Sequence, residues 1–213
     1  ARVKQVRLEG IDLLRLASED QVIAERLVVD GASLELVRDK RKPLDSLAYK
    51  PMPQHLLEHA KINADIDSVQ VNDSQVRYVE FGEKSSHPGA ITVDQLRIDV
   101  GPIFLRKQGA PYPVSEVKFG MAAQIGDSSR IGVTGQMYFE KDYPMKVQAT
   151  ADKLAFAEVS DLVSKTVFVR PTSGEITHGN WEFEVNEHEA FGSMTLGYRD
   201  FKLQFLDSVT LAP

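Results

Sequence analysis

The chain predicts a mainly β fold: an extended, strongly curled antiparallel sheet, forming a trough or an open sandwich, with two short helices. Three observations carry this. Apolar and polar residues alternate with period two over most of the 213 residues, as in strands with one dry and one wet face. Short turn signals built from Gly, Asp and Asn divide that pattern into roughly ten strands. Only HLLEHA and AFAEVSDLVS carry helical spacing, and helices of two or three turns are too short to roof so many half-dry strands.

From the N-terminus, VKQVRLEGIDLLRL reads as a strand. QVIAERLVVDGASLELV reads as a hairpin about Asp30-Gly31, with Val29 opposite Ala32 and Leu27 opposite Leu34. DKRKPLDSLAYKPMPQ, 39–54, is a polar connection. It leads into HLLEHA, a short helix whose start Pro51 and Pro53 mark. Strand pattern resumes in KINADIDSVQVNDSQVRYVEF. A shift of 42 residues lays LVVDGASLELV on VQVNDSQVRYV, with Val29 on Val71, Asp30-Gly31 on Asn72-Asp73, Leu34 on Val76 and Leu36 on Tyr78. One strand-turn-strand unit is therefore expected twice. After the loop 82–89, ITVDQLRIDV is a strand whose apolar set changes parity between Val93 and Leu96, the mark of a bulge or tight turn. GPIFLRKQGAPYP, 101–113, is the expected boundary between an N-terminal β segment (1–105) and a C-terminal one (106–213) within one continuous domain.

In the second segment, a turn at 127–129 sets Ile125 opposite Ile131, Ala123 opposite Val133, Met121 opposite Gly135 and Phe119 opposite Met137. The loop EKDYP then sets Phe139 against Met145 and Met137 against Val147. AFAEVSDLVS, 155–164, places Phe156, Val159, Leu162 and Val163 at helical spacing, and strand VFVRP follows. Residues 173–206 read as three antiparallel strands. A loop over Asn186 to Glu189 pairs Val185 with Ala190, Phe183 with Gly192 and Trp181 with Met194. A turn at Arg199-Asp200 pairs Tyr198 with Phe201, Leu196 with Leu203 and Met194 with Phe205. Every apolar set falls on one side.

Composition narrows the function. A net charge of -6 and basic clusters limited to RDKRK (38–42) and RKQ (106–108), both read as solvated loops, lack the footprint that nucleic acid requires. No cysteine is present, so neither a disulfide nor a thiol nucleophile is available. No apolar run approaches the roughly 18 to 20 residues that span a bilayer. ARVKQVRLEG opens already in strand register, which reads as a segment of a longer protein. His55-Leu-Leu-Glu58-His59 matches the H-x-x-E-H spacing of inverted zincins. A zinc hydrolase using His55 and His59 is thus a remote alternative, since strands follow at once where such a site needs a longer helix and a third ligand. No phosphate loop or Gly-x-Ser-x-Gly elbow occurs. No catalytic residue, resident metal or cofactor is assigned. The sheet must cover itself as a sandwich or barrel with a filled core, or curl into a trough open to a guest.

Two stretches bear on that choice. LVVDGASLELVRDKRKPLDSL resembles the recurrent strand, turn, strand, polar-loop element of the AsmA-like branch of the AsmA/TamB superfamily. INADIDSVQVNDSQVRYVEFGEKSSHPGAITVDQLRIDV is similar to the middle of those proteins, with Tyr78-x-Glu80 before Pro88-Gly89, and SGEITHGNWEFEVNEHEAFGSMTLGYRDFKLQFL is similar to their closing meander. The resemblance implies a non-enzymatic periplasmic envelope protein of a Gram-negative bacterium, tethered to the inner membrane by an anchor outside this sequence. Its implied role is binding or channelling phospholipid in an apolar β-groove for outer-membrane maintenance, with envelope assembly proteins as further partners. On the dry side the candidate lining is Leu27, Val29, Leu34, Val69, Val71, Val76, Tyr78, Phe119, Met121, Met137, Phe183, Met194 and Leu196. A structural or protein-interaction sandwich is the alternative.

Overall fold

The computed structural model describes residues 1–19, 21–43, 51–107, 112–127, 129–208 and 210–212. In chain order its elements are β1 (Gln5–Glu9), α1 (Leu13–Glu19), β2 (Gln21–Asp30), β3 (Ser33–Asp39), α2 (Pro53–Glu58), β4 (Asn63–Phe81), β5 (Gly89–Gly101) and β6 (Ile103–Leu105). Then follow β7 (Glu116–Ile125), β8 (Ser129–Tyr138), β9 (Met145–Ala151), β10 (Leu154–Ala155), α3 (Phe156–Thr166), β11 (Val169–Val185) and β12 (Ala190–Phe205). All twelve strands belong to one sheet. The sheet is open: β1 stands at one edge and β12 at the other, and the two do not pair.

The expected hairpin at Asp30-Gly31 does not form. Both β2 and β3 run parallel beside β4, β2 along its first half and β3 along its second, so the sheet is mixed rather than purely antiparallel. Each residue pairs with the one 42 positions later: Val29 with Val71, Leu34 with Val76, Leu36 with Tyr78. The internal repeat is thus a pairing register, two copies of one bent strand stacked edge to edge. Gly31, at φ 63, bends the chain instead of reversing it. Asp73 does the same in β4 at φ 45 and Gln95 in β5 at φ 50. Side chains stitch this corner: Asn72 Nδ2 donates to Asp30 Oδ1 at 3.1 Å, and the Ala32 N–H donates to Ser74 Oγ at 2.9 Å. The parity change expected in β5 appears as the register shift between Asp94 and Arg97.

Two further readings change. The first segment is not one strand, because Gly10 (φ 67) turns the chain and Asp12 Oδ1 accepts the N–H groups of Leu14 and Arg15, starting the third helix, α1. The turn at Arg199-Asp200 is also absent. Asp200 takes φ 53 as a local irregularity, and β12 continues along β11, so Tyr198 meets Ile176, Leu203 meets Pro171 and Phe205 meets Val169. The strand expected at VFVRP begins at Val169 and continues through the strand after it as one 17-residue strand. The meander β7–β8–β9 forms two residues out of the expected register, with Met121 opposite Val133 and Met137 opposite Met145. Gly126 at φ 59 lets the first turn close with Ile125 opposite Ser129. A slip of two keeps every side chain on its face. Val185–Ala190, Phe183–Gly192 and Trp181–Met194 pair as expected.

The stretch 101–113 joins the halves. β6 pairs with β4, and Tyr112 and Val114 pack on the core of Ile103, Val117 and Met137.

Candidate functional site

Strand registers, followed from one edge to the other, define two apolar rows. Leu8, Leu27, Val69, Val100, Phe119, Gly135, Val147, Phe183 and Gly192 are successive partners across nine strands. Two residues along, Val6, Val29, Val71, Ile98, Met121, Val133, Ala149, Trp181 and Met194 form the second row. Residues two apart on a strand share a face, so the rows lie side by side. The row between them, which includes Arg7, Gln70, Asp99, Thr134, Gln148 and Glu182, points to the opposite face. At about 4.8 Å per strand spacing, the apolar lane is about 38 Å long.

Both sides of the lane are built up. At one side Leu57 of α2 packs with Leu105, Tyr112, Val114, Phe139 and Met145 around Ile103, Val117 and Met137. Tyr112 stacks on Phe139 with ring centroids 3.5 Å apart, and burial raises its phenol pKa. Gln54 of α2 is fully buried, and its amide Nε2 donates to the Tyr143 and Pro144 carbonyls at 3.0 Å. At the other side α3 lies across the strand ends. Its Glu158 accepts from the Ser129 hydroxyl at 2.6 Å, its Asp161 from the Ala90 N–H at 2.9 Å, and Phe156 meets Phe201 at 4.4 Å. Gly89 permits this approach, since a Cβ there would stand 2.7 Å from the Leu162 backbone. Between the two covers, none of the eighteen lane residues is buried. Their side chains are half-buried across the centre and exposed at the two sheet edges, where Val6 is 60 % and Met194 59 % exposed.

Of the expected lining, Leu27, Val69, Phe119 and Phe183 fall in the first row and Val29, Val71, Met121 and Met194 in the second. Leu196 lies beside Met194, opposite Gly179. Leu34, Val76 and Tyr78 lie past the corner, on β3 and β4. Met137 is buried at 6 % exposure in the core beneath α2. Val6, Leu8, Ile98, Val100, Val133, Val147, Ala149 and Trp181 were not anticipated as lining. The signal for them was present in the 42-residue offset and the hairpin pairings, which chain into rows once each strand is given its neighbour.

A cavity of about 750 Å³ lies along the first row, with Phe119, Gly135, Val147, Phe183 and Gly192 in its lining beside Phe191. Lys118, Gln136, Lys146 and Glu184 line it on one side, and Thr134, Gln148, Glu182 and Ser193 on the other. The side chains of these polar residues alternate to the face opposite the lane.

His55 and His59 do not assemble a metal site with Glu58. Their rings stack at 4.1 Å, His59 Nδ1 lies 2.8 Å from the His55 carbonyl, and Glu58 accepts from the Tyr143 hydroxyl at 2.6 Å. The helix has six residues. The three metal-capable side chains that do converge among the described residues are Asp142, Glu187 and His188, on two surface loops. No helix of the described residues is long and apolar enough to cross a membrane.

No protein-family model, curated protein or solved structure matches the chain.

Proposed function

We propose that the chain is a non-enzymatic module that holds or conducts phospholipid acyl chains along the apolar lane, as part of an envelope protein serving outer-membrane maintenance. One observation supports this reading: two rows of apolar residues and glycines cross nine strands with none of their residues fully buried, Val69, Val100 and Phe119 packing at one margin against the core beneath α2. An acyl chain gains about 0.8 kcal/mol for each methylene withdrawn from water, so contact length sets affinity and no polar motif is needed. The lane, at about 38 Å from the strand spacing, exceeds the hydrocarbon thickness of a bilayer, about 30 Å. The resemblance to the AsmA-like branch, with its periplasmic setting and inner-membrane tether, supplies the biological context of the proposal.

Protein purified under mild conditions is expected to carry phospholipid visible by native mass spectrometry. After delipidation, the folded protein is expected to take up a fluorescent phospholipid saturably. Folded, lipid-free protein that takes up none sinks the reading. A protein-interaction role draws support from β12, a 16-residue edge strand with Phe191, Tyr198 and Phe205 at 60 %, 66 % and 75 % exposure. Such an edge can accept a partner's strand. The filled-core sandwich has less support, because every described strand lies in one sheet and the lane residues keep solvent contact.

A further inference from the structure

The run Arg38-Asp39-Lys40-Arg41-Lys42 places four cations and one acid together in a chain of net charge -6. It is more ordered than a solvated loop. Arg41 donates to both Asp39 carboxylate oxygens, at 2.8 and 2.9 Å, and its guanidinium lies 4.0 Å from the centre of the Phe81 ring. Lys40 Nζ is 2.7 Å from Glu80 Oε1. These contacts engage Lys40 and Arg41. Arg38 and Lys42 are exposed, Arg38 with a side-chain contact to the Tyr78 hydroxyl and Lys42 near the Asp39 carboxylate. Beside them Leu36 is 46 % and Val37 60 % exposed. Ser33, at the start of β3, bridges to Arg2, and from Leu34 to Asp39 the strand pairs only with β4 among the described residues, leaving the outer edge of this end open.

We infer that this end of β3 docks on a phospholipid surface of net negative charge. Cations alone suit any polyanion, and exposed apolar side chains alone suit any greasy partner. Their combination on one strand end of an acidic protein fits a lipid interface: Leu36, on the same strand face as Arg38, reaches past the headgroups while Arg38 and Lys42 stay with the phosphates. The unpaired backbone groups of the β3 edge hold it at headgroup depth, where water and phosphate satisfy them and hydrocarbon does not. This docking does not depend on any ligand in the lane.

Co-sedimentation of the full chain with vesicles tests it. Pelleting is expected with vesicles of mixed phosphatidylcholine and phosphatidylglycerol, far less with phosphatidylcholine alone, and release is expected at high salt. Arg38→Gln with Lys42→Gln removes neither partner of the Arg41–Asp39 and Lys40–Glu80 pairs. It is expected to weaken binding by about twenty- to thirtyfold, about fivefold for each cation. Lys118→Gln with Lys146→Gln removes the same charge elsewhere and is expected to leave binding as in the unaltered chain. Equal pelleting with both vesicle types, salt-insensitive binding, or equal losses from the two double variants overturns the proposal.

Discussion

Glu80 is a carboxylate buried outside the lane between two polar partners. It is 7 % exposed, accepts from the Tyr78 hydroxyl at 2.5 Å, and sits 2.7 Å from Lys40 Nζ. Burial by itself raises its pKa, but the Lys40 and Tyr78 contacts outweigh that and hold it below the ordinary value. A carboxyl held low stabilises the fold above its unfolded value, about 4.3, and that contribution disappears as pH falls through the lowered value. Asp161 and Glu175 shift the same way. Urea midpoints are therefore expected to drop as pH falls below about 4. Glu80→Gln is expected to cost about 2 kcal/mol at neutral pH and to flatten the acid-side loss. Identical pH profiles for the variant and the unaltered chain would show that the Tyr78–Glu80–Lys40 contacts contribute nothing.

At the scale of elements, the bent strand stacked on its own repeat organises the first half. Ser74, 3 % exposed, accepts the Ala32 N–H and donates to the Asn72 carbonyl at 2.8 Å, tying one copy of the corner to the other. Ser74→Ala leaves the Ala32 amide without its acceptor, at an expected cost of about 1–3 kcal/mol. Faster amide exchange is expected at Ala32 and Gln75, measured by hydrogen–deuterium exchange, while β11 and β12 stay unchanged. The corner also shows where sequence reading succeeds and fails. The offset relating Val29 to Val71 and Leu34 to Val76 is visible as a repeat, and it is the observed register. Its geometry is not visible, because a left-handed residue between alternating runs serves equally as a hairpin turn and as a bend in a continuing strand. Gly31 and Asp200 both bend, since β4 and β11, at 19 and 17 residues, offer each a neighbour long enough to pair on both sides of the bend. The two-residue slips in β7–β8–β9 leave the same face apolar, whereas the parallel pairing of β2 and β3 with β4 changes the topology.

Across the whole molecule, the question is whether the lane is an uncovered surface or a core, and Val133 lies near its middle. Alternation along the strands identifies the dry face but not its cover. Whether α2 and α3 roof the face or stop at its margins depends on close approaches such as Gly89 to Leu162, which no periodicity records. Val133 lies between Met121 and Ala149 and keeps partial exposure. If the lane is open, Val133→Lys changes stability by no more than about 1 kcal/mol, because the ammonium reaches water. A close-packed core would instead lose about 3–5 kcal/mol to a buried unpaired charge. The same lysine places a charge in the path of an acyl chain, at about 2.5–3.5 kcal/mol, so phospholipid uptake is expected to fall on the order of a hundredfold. Denaturation and uptake measured on this one variant thus separate the readings. Near-normal stability with lost uptake is expected of a lipid lane. A large loss of stability marks a filled core, and normal stability with normal uptake places the lipid elsewhere.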